Sequence, residues 1–95
     1  LALLDRVAAA AGKAGATVTE LRLPSVMDAA MEAHPVVMNV ESAQALAWEL
    51  DHASAQISPV LRERMDWARS QPPTALDEAR QAFATARTAF ADAMR

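Results

Sequence analysis

The residues with the most chemical potential in this chain are few and widely spaced. Glu49-Leu50-Asp51-His52 is a Glu-x-x-His, a spacing that puts a carboxylate and an imidazole on one helix face, as in carboxylate-bridged di-iron bundles. Such a site needs a second copy. The other histidine, His34, has Met31 at the matching offset, so no metal centre is expected and His34 reads as a helix-junction residue before Pro35. Nucleophilic chemistry fares no better. The serines Ser25, Ser42, Ser54, Ser58 and Ser70 are never adjacent, Lys13 is the only lysine, and Gly12 and Gly15 are the only glycines. A serine nucleophile needs a base within hydrogen-bond reach and donors for the oxyanion, so no catalytic residue is assigned within the chain.

Glu41 is the most informative polar side chain. On a 100° wheel it falls near Val37, Ala45 and Trp48, on an otherwise apolar side, where an unpaired carboxylate would cost several kcal/mol. It is expected to have a partner, either in a buried ion pair or as a cap on a neighbouring segment, the functional alternative being that it lines a substrate pocket. Met27, Met31 and Met38 read as core filler, and Trp48 and Trp67 as core or interface anchors, since no basic patch accompanies them.

The elements that must carry these residues follow from periodicity. Leu1, Leu4, Val7, Ala8, Ala11 and Ala14 trace one helix face, ended by Gly15 in the left-handed C′ position. Thr17 to Leu23 then alternates with a period of two and stops at Pro24, which predicts one short strand near a sheet edge. Ser25 is placed as the cap of a short helix from Val26, interrupted at His34-Pro35. A second helix runs from about Pro35 to Asp51. Ser58-Pro59 opens the next helix, with Val60, Leu61, Met65 and Ala68 as its apolar stripe. A proline-rich turn at residues 70–74 separates the last long helix, capped by Thr74 and striped by Leu76, Ala79, Phe83, Ala86, Phe90 and Met94. The expected fold is mainly α, about four to five helices with one strand at about residues 17–23. The 95 residues form a single helical piece of a larger α/β domain, because a lone strand has no partner for its backbone groups.

Composition bounds the function. A net charge of −3 and a pI near 5.2 give no electrostatic reason to expect nucleic acid or an anionic membrane. Hydrophobic residues make up 53% of the chain, but nearly half of them are alanine, so the independent core is thin. No apolar run approaches a membrane span, and the absence of cysteine leaves the redox compartment open, with the cytoplasm as the default. Leu1 opens inside an apolar-periodic run and the last helical pattern reaches Arg95 without a stop, so both ends are expected to be cut from a longer chain.

One resemblance gives this piece a parent. The pattern A-x-x-x-x-G-A-x-V-x-E-L-x-L-P, read on Ala10, Gly15, Ala16, Val18, Glu20, Leu21, Leu23 and Pro24, resembles the amidase signature family, in a segment downstream of its catalytic core. The likeness continues through Met38-Asn39-Val40-Glu41-Ser42-Ala43 and through Leu76-x-x-Ala79-Arg80 to Phe90. It spans nearly the whole chain and departs at Leu76, where the family frequently has tyrosine. The resemblance implies a serine amidohydrolase with a Ser-Ser-Lys triad, on a mixed sheet covered by helices. It hydrolyses a carboxamide without a metal or organic cofactor, or serves as a transamidating subunit. This chain would supply structure or cleft wall, with Glu41 and Met38 as substrate-pocket candidates. Its partners would be the remainder of the amidase, with a small-molecule amide as the parent's substrate, or another copy through apolar faces. A stand-alone helical protein-interaction module is the alternative.

Overall fold

Helix α2, Val26–Ala45, organises the molecule. The computed structural model describes residues 1–95, and α2 is the one element against which both later long helices, α4 (Pro59–Arg69) and α5 (Ala75–Ala93), pack; those two pack on it rather than on each other. A short α3, Ala47–His52, and a 3₁₀ turn, Ser54–Gln56, join α2 to α4. The remaining helix, α1 (Ala2–Lys13), buries no residue.

Local chemistry explains most of the boundaries. Gly15 adopts φ +93° after Ala14, and the Ala16 amide donates to the Ala11 carbonyl at 3.0 Å while the Gly15 amide donates to Gly12 at 3.0 Å. This is a complete Schellman ending, and any residue with a Cβ would be strained there. Ser58 caps α4 as expected, its Oγ accepting from the Leu61 amide at 3.3 Å, with Pro59 as first helical residue. Ser25 and Thr74 do not act as side-chain caps. Both already have helical backbone angles, and entry into α2 comes instead through turn bonds from Met27 to Pro24 and from Asp28 to Ser25, each 3.0 Å.

Three expectations are corrected. First, Thr17 to Leu23 forms no strand, and the chain contains no sheet. Residues 17–23 take part in no backbone hydrogen bond at all, because no second extended segment exists to receive them. Second, Pro35 does not break α2. Its ring removes the bond to the Met31 carbonyl, but Met31 is 75% exposed, so water can satisfy that oxygen and packing on α4 and α5 holds the helix through. Third, the interruption falls at Leu46, where ψ is 16° and the Leu46 amide still donates to Ser42 at 2.9 Å. The Ser42 Oγ donates back to the Met38 carbonyl at 2.6 Å, an i−4 contact of the kind that bends helices.

Burial is shallow. Ala43, Leu50, Met65 and Ala68 form the one hydrophobic cluster, flanked by Val40, Leu46, Ile57 and Leu61, and Met65 is the only large side chain fully sealed. On α5 the stripe is buried at Ala79 and Ala86 but surfaces at Phe90 and Met94. The radius of gyration is 19.3 Å, where a compact domain of this length has about 12 Å. The accessible surface is 7427 Å², where a folded monomer of 10.2 kDa exposes roughly 5,300 Å². The excess, on the order of 2,000 Å², matches the area that one partner loses in a large obligate interface.

Candidate functional site

The residues singled out from sequence do not converge. Glu41 and Met38 lie one turn apart on α2, and neither lines a main surface groove. Met38 is 42% exposed. Glu41 has the partner it was expected to need: Arg80 of α5 donates from its Nη2 to the Glu41 Oε1 at 3.0 Å. The pair is not buried, however, since about half of each side chain meets solvent. That side of α2 is left open by its neighbours, so the wheel overstated the coverage. At such exposure the pair contributes about 0.2–1 kcal/mol. Glu41→Gln should therefore shift the urea midpoint by no more than this range allows, and a larger loss would mean that Glu41 is held by more than Arg80.

The Glu-x-x-His pair is likewise occupied with local structure. The His52 ring stacks on Trp48, centroids 4.8 Å apart and planes 15° from parallel, and its Nδ1 lies 2.9 Å from the Trp48 carbonyl. No three of His, Asp and Glu come together as a metal would require. Among the serines, Ser42 and Ser70 donate their hydroxyls to carbonyls one turn back, at 2.6 Å each, and Ser58 is the cap of α4. Lys13 sits at the end of α1, a helix with no substantial packing against any other. None of these three hydroxyls is therefore bonded to a side-chain base.

What the fold does assemble is an apolar groove. Leu23 and Pro24, at the end of the irregular segment, meet Met27, Met31 and His34 of α2 and Phe83 of α5 around a volume of about 410 Å³, with Asp28 on its edge. Met27, Met31 and His34 stand at i, i+4 and i+7, so one helix face supplies three walls. Met31 is thus a surface residue, not the core filler expected of it. The spacing was visible in sequence, but the closure by Phe83 depends on how α2 meets α5. Further apolar side chains are uncovered at Leu1, at Leu3, Leu4 and Val7 of α1, and at Val18, Leu21 and Leu23 of the irregular segment. No helix is long and apolar enough to cross a membrane. No family model matches the chain, and no curated protein or solved structure matches it.

Proposed function

We propose that this chain is a helical covering segment of an amidase-like hydrolase acting on carboxamide bonds, with the catalytic groups outside these 95 residues. One observation carries the reading. Thr17–Leu23, where the resemblance to the amidase signature family is densest, has seven unpaired amides between an uncovered apolar helix and an apolar groove. Backbone groups and apolar faces left open together are complementary to a sheet edge and the layer above it. In this role α1 and the irregular segment pack on the rest of the enzyme, while α2, α4 and α5 form the outer layer.

The experiment is direct. The 95-residue chain alone should release no ammonia from a simple carboxamide above buffer. A longer reading frame carrying a Gly-Gly-Ser-Ser-Gly-Gly-type run upstream should encode a polypeptide that does. Turnover by the isolated chain, or a frame without that run, would overturn the proposal. A stop codon after Arg95, with Leu1 as the processed start, would favour the alternative of a self-standing helical module that presents Leu1, Leu4 and Val7 to a partner.

A further inference from the structure

Helix α4 has two working faces, and only one is used by the core. Leu61, Met65 and Ala68 turn toward α2 and α3. Val60, Glu63, Arg64 and Trp67, at i, i+3, i+4 and i+7, form a second face that lines a groove of about 370 Å³ together with Asn39 of α2. Asn39 is the single buried polar residue of the chain, 9% exposed. Its carboxamide makes no hydrogen bond to any protein group. The one sealed side-chain polar atom without a partner is Nε of Arg62, so the Asn39 amide is not sealed and meets the groove. A polar group placed there loses most of its hydration and gains no partner within the fold, a net cost to stability that an apolar residue would avoid.

The other groups around the groove indicate what it would accept. Glu63 and Arg64 take part in none of the ion pairs of the chain, so one free anion and one free cation flank a free donor–acceptor amide. Trp67, 42% exposed, and Val60 add a flat apolar wall. A carboxylate takes an ammonium group, a guanidinium takes a carboxylate in bidentate fashion, and a carboxamide pairs with a peptide group through donor and acceptor at once. The volume lies near the lower end of the range for small-ligand sites, about 300–1,000 Å³, and the balanced charge does not suit a polyanion. We propose that this groove between α2 and α4 binds a free, zwitterionic dipeptide, its peptide bond on Asn39, its termini on Glu63 and Arg64, and an apolar side chain against Trp67. The site is separate from Glu41, from Met38 and from the Met27–Phe83 groove, and it does not depend on the amidase reading.

The test uses Trp48→Phe, which leaves Trp67 as the one indole and keeps an aromatic ring beside His52. Titration of this chain with glycyl-leucine should change the Trp67 emission saturably. Asn39→Leu, with helicity checked by circular dichroism, should weaken binding by about tenfold or more, because one buried amide pairing is lost. Glu63→Gln and Arg64→Gln alter only exposed positions and so leave the fold intact; each should weaken binding several-fold. N-acetyl-leucinamide, which keeps the amides and lacks both charges, should bind more weakly than glycyl-leucine. The proposal is overturned if glycyl-leucine gives no saturable change, if Asn39→Leu or the two charge variants bind it unchanged, or if N-acetyl-leucinamide binds equally well. Asn39 would then be a side chain solvated by water.

Discussion

Met65→Ala is expected to remove most of the stability of the isolated chain. Met65 is 1% exposed and is the one large side chain fully sealed in the structure. Truncation of a buried methionine to alanine costs about 2–5 kcal/mol, toward the upper end where the surroundings cannot collapse into the void. Here the collapse would fall to Leu50 and the partly buried Val40, Leu46, Ile57 and Leu61, since Ala43 and Ala68 have no side-chain atoms beyond Cβ to move into the space. A domain of this length has roughly 5–14 kcal/mol in total, and a chain with 8 of 95 residues buried belongs at the bottom of that range or below it. Urea unfolding followed by circular dichroism measures the effect directly. Met65→Leu, which conserves volume, should cost less than about 1.5 kcal/mol. If Met65→Ala costs no more than Met65→Leu, the junction of α2, α3 and α4 is not what holds the helices together.

The difference between Gly15 and Pro35 shows what was legible in the sequence. Gly15 dictates its own backbone conformation, and Ser58-Pro59 satisfies its own helix start, so both were readable from neighbours a few residues away. Pro35 also carries a local penalty, of about 3 kcal/mol, but α2 is covered by two other helices whose packing offsets it. That offset is tertiary and leaves no mark near residue 35. The period-two pattern of Thr17–Leu23 was equally plain. A strand, however, is a statement about two segments, and the second is not within these residues.

The same limit governed the site residues. Glu41 needed a cation, which the wheel could state, but Arg80 lies 39 positions away and reaches it on an open flank. Asn39, two residues before Glu41, carries no local signal of a role. A single polar residue in an apolar helix has meaning only once α4 brings Glu63, Arg64 and Trp67 beside it. Local periodicity therefore located most of the helices and few of the contacts, since contacts here come from helix pairs that share one thin core.

Amide hydrogen exchange along residues 18–23 is expected to separate this chain from the enzyme proposed to contain it by a factor on the order of a thousand. In the 95-residue chain the amides of Val18, Thr19, Glu20, Leu21, Arg22 and Leu23 donate to no backbone group, and the segment is exposed throughout, so they should exchange at close to unstructured rates. In a longer polypeptide that supplies a neighbouring strand, their exchange would require that strand pairing to open. At about 4–5 kcal/mol for such opening, each 1.4 kcal/mol gives a factor of ten, which yields the thousandfold figure. The pattern is as informative as the size. A strand paired on one side protects alternate amides and leaves the intervening ones fast, whereas an inner strand protects all six. Thr19, Leu21 and Leu23 alternate with Val18, Glu20 and Arg22, of which two are charged. A face of that kind suits a place near the edge, so protection should alternate. Uniformly fast exchange at all six positions in an active, longer enzyme would show that the unpaired backbone of this segment is solvated by water and that no sheet receives it.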